Sequence, residues 1–409
     1  MKRTSTSISL TAVFLMAILT VSCSKEELMN PLQNPGNEIL KSAKVTGYIL
    51  TPMEQLGKNI FFDKISVPNS MACADCHDPK VGFTGPKSGI NLHGAVYRGA
   101  DAQAFGNRKP PSAAYATFSP IFHLDATEGI YVGGNFWDGR ATGEILGNPA
   151  ADQAQGPFLN PVEHNNPDKA TVLKTISEAD YAGLWEAVWG EPIQFSTPVE
   201  IGENYDRVGL TIAAYEASSE VNQFSSKYDL FLAGEVSLTV QEAWGLSLFN
   251  GKGLCAECHP STNDPYEGVP LFTDFTYDNL GVPKNLKNPF YKEDPGFVDV
   301  GLGGYLASYG ADPVAIAKNN GKFKVPTLRN VDKRPGKGFT KAYMHNGVFK
   351  SLKEVVHFYN TRDVESWPPP EVLVNMNTDE LGDLGLTDAE EDAIVAFLKT
   401  LSDGYKIKN

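Results

Sequence analysis

The sequence predicts a mainly α-helical fold made of two similar domains with long loops. Two segments repeat each other, TPMEQLGKNIFF from residue 51 and TVQEAWGLSLF from residue 239. Each begins with a capping box, Thr-x-x-Glu, in which the two side chains bind the first free backbone amides of a helix. In each, Gly follows the Glu by three residues and Phe follows that Gly by four. The 27 Pro and 38 Gly residues interrupt the other helical patterns, so we expect short helices and substantial loops.

Composition excludes several classes of protein. Hydrophobic residues make up 42% and charged residues 21% of the 409 residues, which is enough apolar material for a core and too little charge for a disordered chain. The length suggests two or three domains. The formal net charge of −14 argues against a nucleic-acid binder, because phosphate contacts need a surplus of Lys and Arg.

The N-terminal segment has the pattern of a secretory signal. Lys2 and Arg3 precede a largely apolar stretch, residues 8–21, which is too short for a membrane span. We predict a signal peptide at residues 1–22 and Cys23 as the first mature residue, carrying a lipid as in bacterial lipoproteins. The alternative is ordinary cleavage that removes Cys23 or leaves it as a spare thiol. Lipidation predicts an exported protein in the periplasm or cell envelope that touches the membrane only through this lipid.

The rest of the chain divides at the repeat. Residues 23–46 are polar and contain Pro, Gly and Asn, which is typical of a flexible tether. We predict an N-terminal domain over 47–225 and a C-terminal domain over 226–409. A third capping box begins at Thr387, and apolar residues follow it with helical spacing, so the chain should end in a docked amphipathic helix.

Two CxxCH motifs use all the cysteines except Cys23. They are Cys73-Ala-Asp-Cys76-His77 and Cys255-Ala-Glu-Cys258-His259. Two thiols three positions apart match the two vinyl groups of one haem, and the imidazole that follows can bind the iron. A zinc site, a disulfide or a thioredoxin-like motif would not require His after each pair. We therefore predict two cytochrome c-like domains, each with one covalent haem c.

Further motifs extend over most of the chain. They are LGKNIFFDK at 56–64, FWDGRA at 136–141, GPFLNPVE at 156–163, KVPTLRNV at 324–331 and YMHNGVFKSLKEVV at 343–356. Together with the CxxCH motifs, and in this order, they resemble the bacterial di-haem cytochrome c peroxidases and their MauG-like relatives.

This resemblance implies that the N-terminal haem is the peroxidatic one. His93 has the family spacing from His77 for a second, removable axial ligand, and Gly residues around it would let it leave the iron. Glu163 corresponds to the distal acid/base, with Gln153 and Pro157 at the places of distal-pocket residues. Trp137 corresponds to a tryptophan between the haems. The alternatives are structural: a loop histidine, a surface carboxylate and a core tryptophan.

The C-terminal haem would be the site of electron entry or storage. MauG-like proteins have a Tyr as its sixth ligand where peroxidases have a Met, and here Tyr359 and Met376 compete for that role. Met344, His357 or an open site remain further alternatives. A phenolate favours ferric iron, whereas a thioether raises the reduction potential.

The resemblance also implies a calcium ion between the domains. The backbone carbonyls of Thr340 and Ala342 match its placement, but Lys109 stands where Asn is usual. Asn107 is the available substitute. An ammonium beside a dication is unfavourable, so the sequence leaves the calcium site open.

Three functions follow as hypotheses. The first is a di-haem peroxidase that reduces H2O2 to water, with a small electron-donor protein such as a monohaem cytochrome or cupredoxin. The second is a MauG-like oxidase that uses peroxide equivalents to oxidise a partner protein side chain. The third is a non-enzymatic di-haem electron carrier. The acidic chain suggests a basic redox partner, and a homodimer is compatible with the resemblance.

Overall fold

The chain is mainly helical, which confirms the predicted fold class. The computed structural model describes residues 48–262 and 269–407, and within them thirteen short α-helices alternate with long loops. The first six are α1 (Pro52–Phe62), α2 (Ser88–Leu92), α3 (Pro149–Leu159), α4 (Lys169–Ser177), α5 (Ala182–Trp189) and α6 (Pro198–Ala217). The others are α7 (Lys227–Leu232), α8 (Val240–Phe249), α9 (Phe290–Glu293), α10 (Leu302–Tyr309), α11 (Pro313–Asn319), α12 (Leu352–Thr361) and α13 (Asp388–Lys399).

Strands are few and short in the described part of the chain. β1 (His123–Asp125) pairs with β2 (Ile130–Val132), and β3 (Tyr277–Asp278) pairs with β4 (Phe323–Lys324), both antiparallel. In the second ladder Tyr277 lies opposite Lys324.

The sequence repeat corresponds to two similar helix pairs, α1 against α6 and α8 against α13. Both capping boxes form as predicted. A Cβ on Gly57 would lie 2.1 Å from the carbonyl oxygen of Thr211, and one on Gly245 would lie 1.9 Å from that of Ala393. The repeated glycine is therefore the position where each helix backbone touches its partner, because no larger residue fits between them.

Two large hydrophobic clusters build the core. One holds α1, α3 and α6 together around Phe61, Phe158 and Trp185. The other surrounds Phe249 and Phe397 and includes the apolar face of α13. The predicted C-terminal amphipathic helix is thus present and docked.

A buried ion pair joins the KVPTLRNV segment to α7. Arg329 and Asp229, both 1% exposed at their side chains, are 3.0 Å apart. The Arg329 guanidinium also lies 4.5 Å from the ring centroid of Phe224. These contacts hold residues 324–331 in place, and that segment forms part of both sites described below.

Several predictions fall outside the described residues. The signal peptide at 1–22, Cys23 and the tether at 23–46 lie there, and the domain boundary at 225/226 remains a prediction. Within 48–262 and 269–407, no helix has the length and apolar character that a membrane span requires.

Replacing Gly245 by Ala should destabilise the protein, although Ala is the better helix former. The new methyl group would meet the Ala393 carbonyl, so we expect the free energy of unfolding to fall by about 1–3 kcal/mol. Urea unfolding of the holoprotein measures it. Gly202→Ala in α6, where a Cβ meets nothing within 4 Å, is the matched control and should be neutral or stabilising. Equal effects of both substitutions would contradict the close helix contact.

Candidate functional site

Each CxxCH motif forms one tight turn that presents its side chains to a cavity. In the first, the 3₁₀ turn Cys73–Asp75 is closed by the backbone amide of His77, which donates to the Cys73 carbonyl at 2.9 Å. The second repeats this turn, with the amide of His259 donating to the carbonyl of Cys255 at 2.9 Å.

The two motif histidines are held in the same way. Nδ1–H of His77 donates to the Phe83 carbonyl at 3.0 Å, and Nδ1–H of His259 donates to the Phe272 carbonyl at 2.8 Å. Burial lowers the pKa of both imidazoles to about 4, so both are neutral at pH 7. This leaves each Nε2 with a free lone pair, which is what a metal-binding histidine needs.

Two cavities lie at these turns. The first has a volume of about 450 Å³ and is lined by Cys73, Cys76 and His77. The second has a volume of about 230 Å³ and is lined by Cys255, Cys258 and His259.

The donor set of each cavity fits a covalent haem better than zinc or a disulfide. All four cysteines are free and partly buried, and burial raises the pKa of their thiols. The two CxxC pairs lie on different cavities, so they do not form one zinc site with four cysteine ligands. Within the described residues, the single cluster of three metal-capable side chains combines Cys258 with Asp278 and Glu380. Nε2 of His345, in the second cavity, is buried without a partner among the described residues, as expected where a bound group completes the site.

The structure brings the predicted distal residues together in the first cavity. Gln153 and Pro157 are one turn apart on α3, so both side chains lie on one face of the helix. Glu163 follows at the end of a turn in which its backbone amide donates to the Asn160 carbonyl at 3.0 Å. All three line the cavity with Cys73, Cys76 and His77.

The environment of Glu163 raises its pKa. Burial is the main cause, opposed by the nearby positive charge of Arg140 and a hydrogen bond from the Asn160 side chain. Arg140 is itself paired with Asp138 at 2.8 Å, which limits how far it can stabilise the Glu163 carboxylate. Glu163 can therefore exist in both protonation states nearer to neutral pH than an exposed glutamate.

His164 and Glu216 are two buried ionisable residues in the lining of this cavity. His164 is buried, and its Nδ1–H donates to the Ile65 carbonyl at 2.7 Å. Glu216, to which no sequence motif points, is 4% exposed, and burial raises its pKa to about 8. Its spacing could have identified it, because Glu216 lies four residues after Ile212 and so on the same, apolar face of α6. Both residues line the cavity.

His93 is not brought to the first cavity. It follows the last residue of α2, is exposed, and its Nδ1–H donates to the Gly89 carbonyl at 2.7 Å. It is absent from the cavity lining, whereas Tyr97 and Arg98 of the same segment are part of it. In this conformation His93 lies outside the first cavity, so its predicted role as a ligand of the iron there requires residues 88–96 to move.

Trp137 lies in the wall shared by the two cavities and is 8% exposed. Its indole Nε1–H donates to the Lys109 carbonyl at 2.8 Å, and its own carbonyl accepts from the Lys324 amide at 2.9 Å. Lys109 and Lys324 also line both cavities. Trp137 thus lies between the two cavities, and its position between two haems stays a prediction.

The structure distinguishes the candidates for the sixth ligand of the second haem. Tyr359, on α12, lines the second cavity, and its phenol has no hydrogen-bond partner among the described residues. Burial raises its pKa. Met344 lines the same cavity, but Met376 does not and packs against Gly281 instead. His357 is also outside the lining and binds Glu391 at 2.9 Å.

The residues predicted to hold calcium do not fit that ion. The backbone carbonyl of Thr340 accepts a hydrogen bond from the side-chain amide of Asn91 at 3.0 Å. The backbone carbonyl of Asn107 accepts one from the side-chain amide of Asn288 at 2.7 Å. Asn107 lines the first cavity, whereas Ala342 lines the second. The shared wall carries the lysines Lys109 and Lys324, whereas calcium prefers carboxylate and other free oxygens. The arrangement of these residues therefore does not support the predicted calcium site.

Comparison with known proteins agrees with this geometry. Residues 51–237 match the model of the family described as di-haem cytochrome c peroxidase. The chain is 37% identical to the methylamine utilization protein MauG of Paracoccus denitrificans, over 85% of this chain and 88% of that protein. It is 29% identical to the cytochrome-c peroxidase IdrP2 of Denitromonas iodatirespirans, over 86% of this chain and 81% of that protein. The crystal structure of the diheme peroxidase BthA from Burkholderia thailandensis superimposes with a TM-score of 0.72 at 32% identity, covering 88% of each chain.

Replacing both Cys255 and Cys258 by Ala should leave one covalent haem instead of two, because each CxxCH turn serves a separate cavity. Haem per chain is measured by pyridine haemochrome absorbance and by the mass of the intact chain. Replacing Cys73 and Cys76 is the matched control and should remove the other haem. Two haems in either double variant would contradict the assignment.

Proposed function

We propose a peroxidase function for this chain, which belongs to the di-haem cytochrome c peroxidase and MauG family. The protein reduces H2O2 to water at the first cavity, and electrons enter at the second. Each H2O2 takes up two electrons and two protons and leaves as two waters. The observation that carries this proposal is the Glu163 carboxyl, held with a raised pKa in the same cavity as Cys73, Cys76 and His77.

A haem c bound to Cys73, Cys76 and His77 supplies an iron that exchanges electrons with peroxide. The protein residues then manage protons and position. Glu163 takes a proton from one peroxide oxygen and delivers it to the other, for which a pKa nearer neutrality is suitable. The Gln153 amide can orient peroxide by hydrogen bonds, and Pro157 shapes the pocket without adding a donor.

Trp137 is suited to pass electrons between the two sites. Its indole lies in the wall that both cavities share. A hydrogen bond from the indole at 2.8 Å and one to the backbone carbonyl at 2.9 Å hold the ring and the backbone in place. A stepwise transfer through the indole is therefore available.

Tyr359 favours a second candidate function, the oxidation of a side chain in a partner protein. A phenolate ligand stabilises ferric iron and lowers the reduction potential, which suits retention of oxidising equivalents rather than priming by a donor. Tyr359 lines the second cavity and Met376 does not. The MauG protein of Paracoccus denitrificans is among the relatives of this chain.

We also propose where and with what the protein acts. The predicted signal and Cys23 support an exported protein held at the cell envelope by a lipid. The net charge of −14 supports a basic electron donor, such as a small monohaem cytochrome or cupredoxin, whose binding weakens as salt rises.

Glu163→Gln should lower kcat/KM for H2O2 by about 100-fold or more, because the amide cannot accept and return a proton. Turnover is measured with a reduced cytochrome or an artificial donor after reductive activation. Glu186→Gln, at an exposed position of α5, is the control and should leave turnover unchanged. Full activity in Glu163→Gln would exclude the proposed role.

The pH profile provides a second readout of the same variant. The raised pKa of Glu163 means that the carboxylate is lost, and activity with it, as pH falls through a value above the ordinary 4.5. The residual activity of Glu163→Gln should lack this acid limb. An identical acid limb in the variant would assign it to another group.

Tyr359→Phe should change the ferric absorption and EPR spectra of the second haem, because it removes the phenol oxygen from the cavity. Met376→Leu is the matched comparison and should leave those spectra unchanged. A ferric band at about 695 nm in the parent protein, lost in Met376→Leu, would instead establish methionine ligation.

A further inference from the structure

We propose that the ammonium group of Lys109 takes the place of a divalent cation between the two haem sites. The positive charge there is then part of the polypeptide, and the coupling of the two haems does not depend on calcium. This inference rests on haem occupancy of both cavities and not on peroxidase turnover.

The backbone of Lys109 lies at the junction of the two sites. Its amide donates to the His345 carbonyl at 2.8 Å, and its carbonyl accepts from the Trp137 indole at 2.8 Å. His345 lines the second cavity and Trp137 lines both. One residue thus connects the shared wall to the 340–345 segment, where the family resemblance places the cation.

The side chain of Lys109 carries its charge into the same wall. Nζ donates to the Thr84 hydroxyl at 3.1 Å and to the Pro110 carbonyl at 3.0 Å, and lies 5.9 Å from the ring centroid of Trp137. Both partners are uncharged, so no carboxylate among the described residues pairs with the ammonium. Burial lowers its pKa to about 8, which still leaves most of the population protonated at pH 7.

Comparison with two other lysines shows that the Lys109 ammonium has one N–H bond without a hydrogen-bond partner among the described residues. Nζ of Lys341 donates to three backbone carbonyls and Nζ of Lys324 to three oxygens, so the three N–H bonds of each are satisfied. Nζ of Lys109 has two oxygen partners among the described residues and lines both cavities. Its third N–H is available to a negatively charged group in either cavity.

A fixed positive charge at this position has a defined electrostatic effect. It stabilises the reduced, more negative state of an iron site on either side and therefore raises both reduction potentials. The low dielectric of a protein interior makes this effect larger than it would be in water. Removing the charge should lower both potentials together, since the residue lines both cavities.

The test measures metal content and reduction potentials of the full-length holoprotein. Purified with and without added CaCl2, the protein should contain fewer than about 0.1 calcium per chain, and EGTA should leave its spectra and potentials unchanged. Lys109→Gln should lower the midpoint potentials of both haems in spectroelectrochemical titrations. Lys109→Arg, which keeps the charge, should retain values near those of the parent.

Lys337→Gln removes an exposed lysine charge and is the matched control, for which we expect unchanged potentials. About one calcium per chain, whose removal by EGTA alters either haem spectrum, would overturn the proposal. Unchanged potentials in Lys109→Gln would overturn it as well. If Lys109→Gln does not load haem, the calcium content of the parent protein and the midpoint potentials of Lys109→Arg still decide whether the proposal stands. Calcium content and midpoint potentials are measured without peroxide. A negative result for Lys109 can therefore be distinguished from a negative result for the peroxidase role of Glu163.

Discussion

The wall that the two cavities share is the constraint on which the other features depend. Trp137 is fixed there by one hydrogen bond to Lys109 and one from Lys324, residues on either side of the chain midpoint. The buried pair of Arg329 and Asp229 holds the segment that begins at Lys324. Because one firmly held wall serves both cavities, two sites with different linings can act as one redox unit.

The chemistry of the two sites differs although their turns are the same. Each CxxCH turn ends in a neutral histidine that donates to a backbone carbonyl. The first cavity adds acid/base groups, Glu163 and Glu216, whose pKa values burial raises. The second adds the phenol of Tyr359, which has no hydrogen-bond partner among the described residues, and the carboxyls of Asp278 and Glu371, whose pKa values burial also raises. In the proposed function, Glu163 transfers protons in the first cavity and Tyr359 tunes the iron site in the second.

Local patterns predicted much of this, and tertiary placement explains the rest. The CxxCH turns and the capping boxes follow from short-range spacing, whereas the grouping of Gln153, Pro157 and Glu163 was implied by the resemblance to the family. The sequence repeat does not explain why the glycines recur. The explanation is the contact of each glycine with a helix that is distant in sequence, which depends on tertiary packing. The position of His93 depends on which conformation a glycine-rich segment adopts. In the sequence, Glu216 does not differ from other glutamates on helices. Whether calcium can bind near Lys109 depends on which backbone carbonyls already accept hydrogen bonds, and this too is set by tertiary structure.

Peroxide reduction at the first cavity and electron supply from the second are, in the proposed function, one reaction joined through Trp137. The most direct test mixes half-reduced holoprotein, with the second haem ferrous, with one equivalent of H2O2 and follows the absorption of the second haem by stopped flow. We expect the second haem to become oxidised as the peroxide is consumed. Consumption of peroxide while the second haem stays ferrous would contradict this coupling.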